Sequence, residues 1–142
     1  MLYTRLTKKA LRIAFDAHKE QTDKTGLPYI FHPFHLAEQM TDEATTCVAL
    51  LHDVVEDTDM SFEQLAAEGF TGEMLSALRL LTHDPSVPYM DYVRGIKENP
   101  IAKAVKLADL RHNSDLSRMD IIDEKAIERT KKYKQAIELL QN

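Results

Sequence analysis

The side chains in this sequence best suited to hold a divalent metal ion are His32, His52, Asp53 and Asp109. Imidazoles combined with carboxylates form a mixed nitrogen and oxygen donor set that suits Mn²⁺, Fe²⁺ or a similar first-row ion, with open octahedral positions left for water and substrate. An ion held in this way serves phosphate-ester cleavage twice, by lowering the pKa of a water to make a nucleophile and by neutralising charge on a phosphoryl oxygen. Glu56 and Asp57 follow His52 and Asp53 by one turn of a helix. A carboxylate there could orient the attacking water, take its proton or later protonate the leaving group, which makes both residues catalytic candidates.

Projected at about 100° per residue, positions 47–57 gather His52, Asp53, Glu56 and Asp57 in one arc and Val48, Leu50, Leu51, Val54 and Val55 in the opposite one. That pattern alone equally describes an amphipathic surface helix with a solvated acidic face. Asp109 is more telling, because it projects between Ala102, Val105, Ala108 and Leu116 on the core-facing side of its helix. Burying an ionised carboxylate without compensation costs several kcal/mol, so it needs a metal, a proton, an arginine or a helix end to cap. Lys106 and Asn113 share nearly the same face and are candidates to supply a cation and an amide there or to a bound phosphate. Lys24, Lys97, Lys103 and Arg111 are further candidates for phosphate contact, and Tyr29, Tyr89, Tyr92 and Tyr133 for stacking on a base or for core packing. Among the other histidines, His35, His83 and His112 read as structural or exposed, and His18 as the nearest to a supporting role behind the metal donors.

These residues have to be positioned by helices. Leu6, Ala10, Ile13, Ala14 and Ala17 recur at helical spacing and predict a first helix ending near His18 to Gln21. The turn-rich stretch 23–28 predicts a loop, and Pro33 suits the first position of a second helix, which puts His32 at a loop-helix junction. A third helix is expected over Glu43 to Val55, a fourth from Ser61 with Gln64 completing a capping box, and a fifth from Thr71. Pro88 and Pro100 open helices expected over 88–98 and 100–116, and Asp123 caps a last one carrying Ile127, Tyr133, Ala136, Ile137 and Leu140. No strand-like alternation, internal repeat or flexible linker appears. The expected fold is therefore an all-α bundle of about seven to eight helices, one domain over residues 1–142.

Composition narrows the function classes. A net charge of −5 argues against a broad nucleic-acid footprint, which demands clustered Lys and Arg, but leaves room for a small phosphorylated ligand held by local cations. Cys47 is the only cysteine and lies in the apolar run 47–51, so it reads as a buried small residue and neither an internal disulfide nor a zinc-cysteine site is possible. The first helix is too interrupted by charge for a signal peptide, and no apolar run is long enough to span a bilayer, so the expected location is the cytoplasm with no membrane partner.

The string His52-Asp-Val-Val-Glu-Asp-Thr58, with His32-Pro33 before it and Lys106-Leu-Ala-Asp109 after it, resembles the HD-domain metal phosphohydrolases. Within that superfamily it is similar to the hydrolase domain of RelA/SpoT-type proteins and to the small stand-alone alarmone hydrolases. The resemblance covers roughly Leu6 to Leu116 and includes Ala17-His18, Gln21, Lys24, Gly26, Pro28-Tyr29 and Ala49-Leu50-Leu51. It implies that His32, His52, Asp53 and Asp109 ligate Mn²⁺, that Glu56 and Asp57 handle the water, and that Asn113 helps hold a nucleotide with Lys24 near it, Lys106 being a further substrate-binding candidate from its place on the helix. The implied reaction removes pyrophosphate from the 3′ position of guanosine tetra- or pentaphosphate. Hydrolysis of another nucleotide by the same kind of domain, and a non-catalytic nucleotide- or partner-binding domain, are the alternatives. A synthetase is disfavoured, since residues 117–142 are too few to form a second domain.

Two positions depart from the family pattern. Asp23 stands where the family usually presents an arginine ahead of the lysine matched by Lys24, and a negative charge there disfavours phosphate and forfeits cationic stacking on a base. Leu110 and Arg111 reverse the usual order, which moves a guanidinium by about 100° around the helix. Both departures leave the metal donors intact and bear on guanine-nucleotide specificity.

Overall fold

A computed structural model describes residues 1–142. The architecture turns on the run Thr46 to Leu51, every residue of which is buried. A helix buried on all sides needs neighbours on all sides, and this one, α3 (Glu43–Leu51), has them. It packs against α1 (Arg5–His18), α2 (Phe31–Glu38), α6 (Gly72–Leu81) and α8 (Pro100–Asn113). The remaining elements are α4 (Val54–Asp57), α5 (Phe62–Ala67), α7 (Tyr89–Ile96), a 3₁₀ turn over Leu116–Arg118, and α9 (Glu124–Gln141), which lies across α7 and α8. The fold is all-α, and β-type pairing is confined to one isolated bridge between Thr22 and Pro28. No helix is long and apolar enough to cross a membrane.

Local chemistry explains most of the boundaries. Thr4, Asp42, Ser61, Thr71, Asn99 and Asp123 each accept an amide N–H from the first turn of the helix they open. Ser61 and Gln64 form the expected capping box, and Pro100 occupies the start of α8, where a missing N–H leaves no gap. Cys47 is fully buried, and burial pushes its thiol up to about 12.

Three boundaries differ from the sequence expectation. α2 begins at Phe31, so Pro33 sits third in the helix; its missing N–H still falls among the first-turn amides that lack an intrahelical partner. α8 ends at Asn113 rather than 116, because the Ser114 N–H closes on Leu110 O and Asp115 then caps the 3₁₀ turn through Ser117 N. Leu116 is therefore outside the helix, yet Asp109 is still buried. The expected third helix is interrupted. α3 stops at Leu51, and Asp53 adopts φ −105°, ψ −1°, the sparsely populated bridge conformation frequent at active sites. The His52 side chain contributes to the break by turning Nδ1 back onto Ala49 O at 2.6 Å.

The central position of α3 makes a direct prediction. Leu50 is fully buried within the core cluster, so Leu50→Ala should lower the urea unfolding free energy by about 2–5 kcal/mol.

Candidate metal centre

The end of α3, the start of α2 and the middle of α8 meet around one carboxylate. Asp109, 6% exposed, accepts from Lys106 Nζ at 2.9 Å through Oδ2 and from Asn113 Nδ2 at 3.0 Å through Oδ1. Its Oδ1 also faces His32 Nε2 at 2.9 Å and His52 Nε2 at 3.7 Å. One donor atom each from His32, His52 and Asp109 lies within 4.8 Å of the others, close enough to share a single ion.

Asp53 stands beside this trio. Its Oδ2 is 2.9 Å from His52 Nε2 and accepts a hydrogen bond from the Tyr29 hydroxyl. The loop before α2 thereby reaches the centre through Tyr29, whose ring lies between those of His18 and His32 with centroids at 4.9 and 5.7 Å. Burial first, and the Asp53 charge next, raise the Tyr29 phenol far above its ordinary pKa, so it is a permanent donor to that carboxylate.

The donor chemistry fits a metal cation. His52 Nδ1 faces a carbonyl oxygen and must carry the ring proton, which leaves a lone pair on Nε2 pointing at the oxygens of Asp53 and Asp109. That buried nitrogen makes no hydrogen bond of acceptable geometry, although Asp53 Oδ2 is near it. Either a second proton or a metal cation has to sit between the lone pair and the carboxylates. Without the metal, burial opposes a charged His52, but Asp53 and Asp109 outweigh it and hold its pKa well above the usual imidazole value. The same attraction, together with Lys106, holds Asp109 well below the usual carboxylate range despite its burial. His32 has its other ring nitrogen, Nδ1, 2.7 Å from His112 Nδ1. Burial, and then His32 and Arg118, pull His112 down to about 4, so a neutral His112 can accept the Nδ1 proton of His32 and fix its ring with Nε2 free.

The other candidate residues fall into distinct places. Glu56 and Asp57 are exposed on α4, beyond the break, and Glu56 Oε1 accepts the His83 N–H at 2.9 Å. Burial, then the charges of Asp53 and Glu56, raise Asp57 to about 6. Lys106 is drawn onto Asp109, its ammonium 5.2 Å from the centre of the Tyr92 ring and 5.8 Å from that of Tyr89, so it supports the carboxylate instead of projecting toward a ligand. Lys24 and Asn113 border a cavity of about 330 Å³ that reaches His32 and is also lined by Tyr29, Arg118, Arg129 and Tyr133. Lys97, Lys103 and Arg111 do not border it. Arg111 is exposed while Leu110 is fully buried, so the reversed order turns the guanidinium outward. His18 Nδ1 donates to Gln21 Oε1 at 2.9 Å, and its Nε2 is buried without a partner. A larger cavity of about 580 Å³, lined mainly by Leu11, Phe15, Ile30, Phe31 and Phe34, touches none of the metal donors.

Sequence spacing does not single out Arg118 and Arg129. They lie in a stretch of ordinary surface composition; the 3₁₀ turn after α8 brings Arg118 to the cavity, and the return of α9 across α8 brings Arg129.

Known proteins resemble the chain in both sequence and shape. The HD domain family model matches residues 10–81. The guanosine-3′,5′-bis(diphosphate) 3′-pyrophosphohydrolase MESH1 of Danio rerio is 35% identical over 129 residues, covering 81% of this chain and 71% of that protein. The Homo sapiens MESH1 is 36% identical over 124 residues, 78% of this chain and 69% of the relative. A Synechocystis sp. protein named "Probable guanosine-3′,5′-bis(diphosphate) 3′-pyrophosphohydrolase" is 43% identical over 74 residues, and there the chain spans only 10% of the relative's length. The structure of a metazoan ortholog of SpoT that hydrolyses ppGpp superposes with a TM-score of 0.77 at 27% identity, covering 100% of this chain and 89% of the other.

If a divalent cation takes the place of the extra proton at His52, metal binding must release protons. Because the folded pKa of His52 is raised, its contribution to metal-free stability is present below the ordinary imidazole pKa and lost as pH rises through the raised value. Mn²⁺ affinity measured by calorimetry should therefore increase between pH 6 and 8, and saturating Mn²⁺ should raise the melting temperature of the wild type but not that of His52→Ala.

Proposed function

This chain belongs to the HD-domain family, and from that premise we propose that it is a metal-dependent guanosine-3′,5′-bis(diphosphate) 3′-pyrophosphohydrolase, converting ppGpp and water to GDP and pyrophosphate. The observation that carries the reading is the buried Nε2 of His52, left without a well-formed hydrogen bond and set against two carboxylates, next to His32 on the wall of a cation-lined cavity. Similarity to the MESH1 proteins over most of their length supports the nucleotide and the bond attacked.

In this reading His32, His52, Asp53 and Asp109 hold the ion, most suitably Mn²⁺ for a donor set of this mixture. When bound, the ion supplies Lewis acidity toward a phosphoryl oxygen and lowers the pKa of a water it holds. The chain does the rest. Lys106 and Asn113 fix both oxygens of Asp109, and Tyr29 fixes one of Asp53, so the donors keep their orientation whether or not substrate is present. Lys24 and Asn113 face the nucleotide from the cavity wall. Asp57, one helical turn beyond the donors His52 and Asp53, takes the proton of the attacking water, and Glu56 alongside it helps orient that water. The 3′ oxygen leaves as a hydroxyl once it has received a proton. The proposal extends to one domain over residues 1–142 acting in the cytoplasm.

Purified Mn²⁺-loaded protein should release pyrophosphate from guanosine tetraphosphate in a coupled phosphate assay. Turnover of a different nucleotide, with guanosine tetraphosphate untouched, would overturn the substrate but keep the class. The double variant Glu56→Gln with Asp57→Asn should bind Mn²⁺ as the wild type does and lose roughly 100-fold or more in kcat. If neither form cleaves any phosphate ester, the catalytic reading fails.

Asp57 also predicts a trade between activity and stability. Its folded pKa lies above the unfolded value, so the native state binds the extra proton, and the associated stability is lost as pH rises through the interval from about 4 to 6. Because the side chain is exposed, solvent screening reduces the effect. Asp57→Asn should stabilise the metal-free protein at pH 7 by less than about 1 kcal/mol, with the gain disappearing near pH 4.

A further inference from the structure

The cavity that reaches His32 has a neighbour. A second cavity of about 360 Å³ lies on the other side, bordered by Phe31, Phe34, His35 and His112 among others, and the two share only Asp23, His32 and Arg118. The partition between them is an ion pair, Arg118 Nη2 to Asp23 Oδ2 at 3.2 Å. A second anchor holds the same guanidinium, since Arg118 Nη1 donates to His112 O at 2.9 Å. Two donors are thereby fixed, and the remaining N–H groups of the fork are left for another acceptor.

Asp23 is itself held firmly. Its Oδ1 accepts from Thr25 N at 2.8 Å, Thr25 Oγ1 at 2.6 Å and Leu27 N at 3.1 Å, and the chain closes through Gly26 at φ 85°. The carboxylate thus divides its labour: one oxygen shapes the loop, the other points at Arg118. Loop shaping needs only a neutral acceptor, which an asparagine side chain supplies equally well. Holding a guanidinium is where the charge counts, since a carboxylate binds it roughly twice as strongly as a neutral oxygen does.

The remaining lining makes the charge balance specific. Lys24, Arg118 and Arg129 line the cavity, and the one carboxylate among its lining residues, Asp23, is committed to Arg118. Lys24 and Arg129 have no carboxylate within ion-pair distance. Burial first, then the neighbouring Arg129 and Lys132, lower the Lys24 pKa, as expected where cations crowd together without an anion between them. A diphosphate carries one more negative charge than a monophosphate and a second set of acceptor oxygens for the spread cations, so this wall attracts it more strongly.

We propose that Arg118, held in place by Asp23, is a specificity-determining residue of the nucleotide cavity and selects ligands that carry a diphosphate. Asp23 is then a positioning residue whose negative charge acts through the guanidinium instead of repelling phosphate. The inference rests on the nucleotide-hydrolase reading for its ligand class, and its test does not depend on turnover.

Calorimetric titration of Mn²⁺-loaded protein with GDP and with GMP measures the selectivity directly. The wild type should prefer GDP by tenfold or more, and Arg118→Ala should reduce that preference to threefold or less. Asp23→Asn, which keeps the Oδ1 contacts of the loop, should produce the same loss, and adding it to Arg118→Ala should change nothing further. Arg118→Lys should restore part of the preference. An unchanged GDP preference in Arg118→Ala, losses that add in the double variant, or a wild type that binds the two nucleotides equally or not at all would each overturn the clamp. Thermal melts of the variants serve as the control for folding, and a melt of Asp23→Asn matching the wild type with its GDP preference lost supports the positioning role. Pyrophosphate release from guanosine tetraphosphate separates the two readings. A wild type that hydrolyses it while Arg118→Ala keeps full GDP preference loses the clamp and keeps the enzyme, and the reverse pattern keeps the clamp and loses the enzyme.

Discussion

A buried carboxylate that must stay ionised organises this molecule. Asp109 projects from α8 into the side of the bundle, and leaving it uncompensated there would cost several kcal/mol. Compensation comes from three directions: an ammonium and an amide on its own helix, an imidazole from α2, and an imidazole from the end of α3. Each of those partners is fixed by something else, His52 by a carbonyl of its own helix, His32 by His112, Lys106 by two tyrosine rings. The packing order of the bundle and the geometry of the metal donors are consequently the same constraint seen twice. Helices that failed to meet around α3 would leave the charge unanswered.

The break after α3 shows how local strain becomes useful. A continuous helix through 43–57 would hold His52, Asp53, Glu56 and Asp57 in one rigid arc. The interruption instead lets His52 turn inward with 5% exposure while Glu56 and Asp57 remain exposed, so one short segment presents a buried imidazole and a pair of solvated carboxylates. The two environments also separate the acid strengths: burial opposes but His52 outweighs it, and Asp53 falls to about 2, while Asp57 rises to about 6. Neighbouring carboxylates with opposed pKa shifts are the usual physical basis for dividing binding from proton transfer.

Much of this was readable from spacing. The capped helix starts, the all-α class and the placement of Asp109 on an apolar face follow from short-range rules, because helix caps and amphipathic periodicity are local. The convergence of His32, His52 and Asp109 was readable only through the resemblance, since nothing local relates residues 77 positions apart. The interruption at His52 was invisible to a 100° projection, which assumes the helix it is testing. Arg118 was invisible for a different reason: its significance depends on Asp23, a partner 95 positions away that looks like a liability in isolation. Lys106 illustrates the converse, a residue correctly placed on the right face whose charge is absorbed by the neighbour that made it conspicuous.

The loop between α1 and α2 has the broadest consequence. Its ends are tied to each other by Tyr29 N to Gln21 O at 2.9 Å and Asp23 N to Leu27 O at 2.8 Å, so it forms a closed unit with its own internal bonding. From that unit come Lys24 and Asp23 at the cavity, while its contact with the candidate metal donors runs through Tyr29 alone, to Asp53 by the hydroxyl and to His32 by the ring and the backbone. Exchanges of residue at the loop tip can therefore redraw ligand preference while the ion-binding machinery stays untouched. Under the proposed function, the loop is a replaceable reading head whose tip can change without disturbing the mutual geometry of the candidate ion donors.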